Sequence, residues 1–522
     1  MPHGIETRLI ERITPMVREL CTSRVRALSD LRYADVRVEV SEGKYAGAEN
    51  GEAKSSGDDY AFAFGIRVLA GSRMSAPGYF GRGLGAADVP DLARILWEGL
   101  LAAYRRAMAN AEMKAEIKGK FGALGDALED TRLHPIQVRQ ETVPAVFEVD
   151  PRGVPLDGMQ RLTTDVSRRV AASHRAVSYN YISTMTQLSR ELFASSEGAL
   201  IDQSFALTQG MCYLVATGPD NSQELYDVVG HQRGWEILTR GVSEPLIELP
   251  PFPEFSLAMA ADAVELSQAP ALVAPPGETT VVTDPHYNTL LSHEIIGHPV
   301  ELDRGLKMET AYAGRSWLLR GLDDTQLGKQ IASPLVTAFS DPSLPGYGHY
   351  VYDHEGTPAR RVVHIDRGVF TGFMNSRQTA AVFGGDPNGH WKATDAALVP
   401  LVRMSTTVFA GGEHDARDLI RDVDRGYYLV GHRTPSIAES RENFRISARK
   451  VYEISRGELG RLYRDGGIMA DSRDFLMHVD GVGRDFRVYP IPNCGKGQPM
   501  QTRKLGNGGP TLRSRAILTG GA

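Results

Sequence analysis

Three cysteines in 522 residues, Cys21, Cys212 and Cys494, are too few and too scattered for a disulfide framework. Cysteine usage of this kind fits a reducing compartment. No run of about 18 apolar residues occurs, so no membrane span is expected. Residues 1–30 carry Glu6, Arg8, Glu11, Arg12, Arg18 and Glu19 in place of an apolar signal-peptide core, and the expected location is the cytoplasm. The formal net charge of −6 leaves no basic footprint, which disfavours nucleic acid as a partner. No fixed-period repeat or low-complexity tract is present. Phosphate-cradling Gly-x-x-x-x-Gly-Lys-Ser/Thr and nucleophile-elbow Gly-x-Ser-x-Gly strings are also missing. Gly81-Arg82-Gly83-Leu84-Gly85-Ala86 loosely fits a dinucleotide pattern, but Ser72–Phe80 before it is no buried apolar strand. It reads as a flexible loop, with no nucleotide cofactor expected. Cys212 follows Met211 in an apolar strand and reads as structural.

What the chain does carry is a polar constellation in apolar surroundings. In Leu290-Leu291-Ser292-His293-Glu294-Ile295-Ile296-Gly297-His298 two imidazoles bracket a carboxylate, a set suited to a divalent transition metal plus a general base. An ordinary polar pair at a helix end is the bland alternative. Against it stands the cost of burying charge among Leu290, Leu291, Ile295 and Ile296 unless it is paired or metal-bound, and Asp284, His286, Glu301 and Asp303 add further polar groups nearby. The five-residue step from His293 to His298 leaves the side chains roughly 140° apart on a regular α-helix, too far to share an ion. Two distortions restore convergence: a one-turn π-bulge, or a helix ending at Gly297 with His298 swinging back before Pro299.

A zinc site of catalytic type takes three protein ligands and leaves one position open. Candidates for the third are Cys494, Glu301, Asp303, His349 and His354. Cys494 lies in the glycine-rich, proline-flanked Pro492-Asn493-Cys494-Gly495-Lys496-Gly497, and a thiolate is a soft ligand matched to zinc.

These segments resemble the TldD/PmbA metallopeptidase family, in its metal-binding TldD-like branch. The resemblance rests on Leu291–His298 with Glu301 after it, Ile331–Thr337, Asp341–Gly346, Asp353–Arg360, Val362–Ile365 and Gly368–Phe373. Asn493–Gln498, Gly508–Leu512 and the amino-terminal Gly65–Leu69 with Gly71 complete it, so the likeness runs from about residue 30 to the end. It implies His293, His298 and Cys494 as ligands of one zinc ion and Glu294 as catalytic base. It further implies a peptidase acting on short or unfolded peptides, paired as a homodimer or with a paralogue lacking the metal string. One departure stands out: where relatives carry Arg-Met-x-Asn-Thr, this chain has Arg403-Met404-Ser405-Thr406-Thr407. Asp353 and Glu355 look like family turn residues without chemistry. Rival readings are a small-molecule amidase or deacylase with the same ligands, and a non-catalytic regulatory subunit, against which the intact Glu294 argues.

The expected fold class is α+β: an N-terminal α/β domain with a curved sheet and long helices, and a C-terminal β-rich domain carrying the metal helix. Expected boundaries are 1–135, 136–250 and 251–522, the last at the Pro-rich Glu248–Pro253. Helices are expected over residues 4–29, Val89–Ile117, Leu156–Ser173 and Phe255–Leu266, from apolar spacing. Strands are expected at Tyr33–Val40 and Tyr60–Leu69 around a turn-rich Glu42–Asp59, then at Val177–Leu188, Leu192–Glu197, Gln209–Thr217 and Thr279–Val282.

Overall fold

A computed structural model describes residues 5–120 and 128–520. Helix α1 (Leu9–Thr22) buries Leu9, Ile10, Ile13, Val17 and Leu20 at helical spacing, as expected of its sequence, and ends before a 3-10 turn at Arg24–Ala27. Gly4, the first residue of the expected helix, lies outside the described residues. Strands β1 (Leu31–Glu49) and β2 (Glu52–Ala70) form one long hairpin. The expected turn-rich stretch Glu42–Asp59 is therefore mostly strand. The turn is only Asn50-Gly51, both at positive φ (51° and 86°), the dipeptide a two-residue hairpin requires. The flanking polar residues stay extended because β1 is paired on both sides: Glu42 lies opposite Tyr60 of β2 and Leu188 of the later strand Val177–Ser195. Sheet context there overrides weak strand propensity.

β3 (Ala76–Gly83) pairs with β2 and lies under helix α2 (Leu92–Lys120). The glycine string read as a flexible loop thus begins inside a strand. Gly65 and Gly81 are cross-strand partners, and a Cβ there would meet the Ala396 and Ala397 carbonyl oxygens at 2.0 and 1.8 Å. These glycines admit the main chain of the C-terminal half.

β4 (Gln140–Val143), β5 (Val177–Ser195), β6 (Leu200–Thr217) and β7 (Ser222–His231) complete a seven-stranded sheet in the order β3-β2-β1-β5-β6-β4, with β7 on the remaining length of β6. The short segments expected between residues 177 and 217 are two long strands. The sheet draws strands from both sides of residue 135. Helices α3 (Leu156–Ser173) and α4 (Phe252–Gln268) cover one of its faces, where Val166, Val170, Cys212, Leu214, Phe252 and Met259 share a core.

The C-terminal half is β-rich, as expected. Strands Glu278–Thr283, Arg425–Ile437, Asn443–Ser455, Gly467–Asp471 and Leu512–Thr519 pair in sequence, and the last returns to pair with the first, closing a barrel. A third sheet holds Ala338–Ser340, Thr406–Phe409, Arg487–Lys496 and Gln501–Gly509. Helix α5 (Pro285–Ser292) packs between barrel and third sheet, buried from Tyr287 onward, as a helix without a charged face should be.

Candidate metal centre

The site begins with the cap of α5. The Asp284 carboxylate accepts from Tyr287 N–H (2.6 Å), and Pro285 fills the first helical position, where its missing donor costs nothing. The helix continues from Ser292 into a π-turn over His293–Gly297, closed by His298 N–H donating to the His293 carbonyl at 3.2 Å. Of the two distortions considered, the π-bulge is the one adopted. Gly297 makes it possible: any Cβ there would sit 1.9 Å from Met404 Sδ.

The widened turn brings the two rings to 4.7 Å between centroids, perpendicular at 89°. Cys494 Sγ lies 3.6 Å from His298 Nε2, and one donor atom from each of His293, His298 and Cys494 falls within 4.8 Å of the others. All three are buried. The other ring nitrogens are engaged. His293 Nδ1 meets Asn507 Oδ1 (3.1 Å), an amide oriented by its own donation to the Thr407 carbonyl. His298 Nδ1 meets Glu301 Oε2 (3.0 Å). Each ring therefore turns Nε2 toward the common point, the arrangement by which outer carboxylates and amides orient metal-binding imidazoles.

The remaining candidates for a third ligand lie apart from this point. Glu301 serves behind His298, fully buried, and also accepts from Arg304 Nε (2.8 Å). Although burial pushes its carboxyl upward, Lys496, His298 and Arg304 together hold it well below the usual range. Asp303 accepts from Lys496 Nζ (2.7 Å). His349 Nδ1 bonds the Pro342 carbonyl, and His354 bridges Arg37 and Glu191 at the junction with the first sheet.

The charges suit an ion. Burial alone would raise the Cys494 thiol, yet His293, His298 and Arg403 bring it well below its ordinary value. His293 is likewise lowered by burial but carried up to about 9 by Cys494. Without a metal the pair is a thiolate facing an imidazolium; a divalent cation would replace that proton. Two nitrogens and a soft sulfur converging with buried supports form a donor set that fits zinc. Cys212, by contrast, is wholly buried and its thiol is pushed up to about 12, as a structural cysteine's should be.

Glu294 is not one of the three converging donors; it is ion-paired with Arg441, whose Nε donates to the Ala313 carbonyl (3.2 Å). His293 and Glu294 open onto a cleft of about 330 Å³, whose other walls include Asp227, His432, Arg433 and Asn493. Arg441, Arg403 and Asn507 were not foreseen. Arg403 donates to the Cys494 carbonyl (2.6 Å) and the Gln501 carbonyl (3.0 Å), fixing the thiolate's main chain. Thr406, at the position of the departure from Arg-Met-x-Asn-Thr, is fully buried against Gly348 and Gly506 and does not line the cleft.

An α+β chain whose barrel and third sheet hold a π-bulged helix, with two imidazoles, a thiolate and a neighbouring carboxylate paired to an arginine, has the form of a metal-site protein. Its family follows from the sequence match: the PmbA/TldA metallopeptidase C-terminal domain covers residues 276–521 and domain 1 of the same family residues 34–111, and the chain belongs to that family. It is 33% identical to a metalloprotease of Methanothermobacter thermautotrophicus over 71% of this chain and 76% of the relative. It is 27% identical to a protein named zinc metalloprotease TldD homolog from Saccharolobus solfataricus, over 47% of this chain and 52% of that one. Among solved structures, TldE from Thermococcus kodakarensis superposes with a TM-score of 0.66 at 15% identity, covering 98% of this chain and 99% of the other, a likeness of fold.

Proposed function

We propose that this chain is a zinc-dependent peptidase, with His293, His298 and Cys494 holding the ion and Glu294 acting as general base. The observation that carries the reading is the convergence of the three buried donors, beside a carboxylate that reaches the cleft without joining them. Family membership and the relatives' names support a metallopeptidase, and one of those names supports zinc. Once bound, the ion would supply Lewis acidity toward water and the scissile carbonyl. The rest falls to the chain. Glu294 takes the proton of the attacking water and passes it to the departing amine. Arg441 keeps the Glu294 carboxylate aimed, and Asn507 and Glu301 keep the two imidazoles in the donor-ready tautomer.

The substrates proposed are short or unfolded peptides. Among the described residues β7 pairs with β6 alone, and its Glu224–Asp227 lines the cleft, so its outer edge can take an extended chain by strand addition independent of side chains. Pairing with a second copy or with a paralogue lacking the metal string belongs to the same proposal. Mass spectrometry of the intact assembly decides it.

The test is Glu294→Gln. It should keep one zinc per chain by elemental analysis while hydrolysis of an unstructured peptide library falls by about 10²–10⁴. Metal loss in that variant, or unchanged turnover, removes Glu294 from the role. Rapid digestion of a native folded protein contradicts the substrate class.

A further inference from the structure

Beside the metal cleft lies a second cavity, of about 260 Å³, between the first sheet and the strand pair that carries Cys494. Glu39 and Glu191 line one side, Arg503 and Lys504 the other, and Pro492 and Asn493 the rim. Pro492 and Asn493 also line the metal cleft, so the two spaces meet at the bulge that precedes Cys494.

Lys504 is the unusual occupant. Among the described residues its ammonium has one hydrogen-bond partner, Gln209 Oε1 at 3.1 Å, and it sits 5.7 Å from the Tyr347 ring centroid. Burial pulls its pKa down to about 8 and no carboxylate among the described residues offsets this, so at neutral pH it remains mostly a cation with no counter-ion among them. A partly buried ammonium in that state is costly unless something else satisfies it. The cavity's own acids do not. Glu191 Oε2 is engaged by His354 (3.0 Å) and Lys392 (3.1 Å). Glu39, half-buried, is raised to about 8 by desolvation and by the neighbouring Glu191 and Asp395. Arg503 donates to the Ala393 carbonyl (2.7 Å) and adds a second positive charge to the same wall.

We infer that this cavity is a subsite for a substrate carboxylate, received by Lys504 Nζ next to the metal cleft. The inference rests on the peptidase reading for the identity of the ligand, a peptide. Position sets the spacing. Arg503 is the cross-strand partner of Cys494, and Lys504 follows it opposite the bulged Pro492-Asn493. Lys504 thus lies one residue step beyond the pair that holds Cys494. At about 3.3 Å per extended residue the carboxylate belongs two or three residues from the scissile bond. Its source is either the C-terminus of a short peptide or an Asp or Glu side chain.

Binding separates these cases without relying on turnover. Fluorescein-labelled hexapeptides are titrated into zinc-loaded Glu294→Gln protein: one with a free C-terminal acid, its C-amide, and C-amides carrying a single Glu at successive positions. Either the free acid or one Glu-bearing amide should bind about tenfold more tightly than the neutral amide, and which of them does so names the source. Lys504→Met should abolish that preference while leaving the neutral amide's affinity unchanged, and Lys504→Arg should restore it. Equal affinity for acid, Glu-bearing and neutral peptides, or a Lys504→Met loss shared by all of them, overturns the subsite. A carboxylate preference in a protein that, with Glu294 intact, cleaves none of these peptides upholds the subsite and sinks the peptidase reading instead.

Discussion

His286 and His293 stand at the two ends of α5, each beside a second histidine and each close to an acidic partner. His293 and His298 meet perpendicularly at 4.7 Å; His286 and His432 stack at 4.8 Å with 13° between planes. Asp227 and His432 line the same cleft as His293 and Glu294. By residue type alone the second cluster, with Asp227 Oδ2 3.1 Å from His286 Nε2, is as promising as the first. Two differences separate them. Parallel rings send their nitrogens past one another, whereas the π-bulge aims both Nε2 atoms of the first pair at one point. The second pair's carboxylate is already neutralised, since Arg449 Nη2 reaches Asp227 at 2.5 Å, while the Cys494 thiolate faces first the two imidazoles, where a metal could stand in for a proton, and then Arg403, which holds its main chain. A histidine pair becomes a metal site when an anion is left uncommitted beside it.

The largest effect expected from this contrast is on metal content. Cys494→Ala removes the only anionic donor and should weaken zinc binding on the order of a thousandfold or more. His432→Ala should leave stoichiometry and affinity unchanged. Competition with a chromophoric chelator measures both. Zinc loss in the His432 variant would erase the distinction.

A smaller effect should follow from the support behind His298. Glu301→Gln keeps the shape but surrenders the charge that Arg304 and Lys496 now balance, leaving two cations facing a neutral amide. Loss of such an outer partner costs about 10–100-fold in metal affinity. The equivalent change in the stacked cluster, Asp227→Asn, should cost none, although it strands Arg449 and should lower thermal stability.

The first half of this contrast was legible in the sequence and the second was not. His293, Glu294, His298 and Cys494 stand out because residue type and setting both betray them. The five-residue step announced a distortion without deciding which, because that choice depends on Met404 filling the space beside Gly297 from more than a hundred residues away. Arg441 reaches Glu294 from a turn between barrel strands, at φ 67°, and nothing local marks it as part of a site. Glu301 was visible as a polar residue near the histidines, yet ligand and ligand-supporter look alike until the ring nitrogen it faces is known. The fold divides the same way. Amphipathic α1 and α2 declare themselves by spacing, whereas the polar outer half of the β1–β2 hairpin is held by pairing partners no local pattern shows. Its one local sign, Asn50-Gly51, sits in a stretch dominated by turn-forming residues.

The smallest effect expected concerns acid stability. His432 is lowered to about 3, first by burial and then by the neighbouring His286, with Arg449 adding to the shift and Asp227 opposing it. The ring protonates near 6.5 in the unfolded chain, so below that pH the unfolded state binds a proton that the folded state refuses. Stability should therefore fall as pH drops from about 6.5 toward 3, the His432 share reaching about 1 kcal/mol by pH 5 once partial solvent screening is allowed for. His432→Asn, read as urea midpoints at pH 7 and pH 5, should narrow the gap between the two pH values. At the other end of α5 the sign reverses: His293, carried up to about 9 by Cys494, protonates more readily folded than unfolded and contributes stability that is complete below about 6.5 and gone above about 9. If His432→Asn leaves the pH 7-to-5 difference as large as in the parent chain, His432 is not held neutral, and charge commitment cannot be what separates the two ends of the helix.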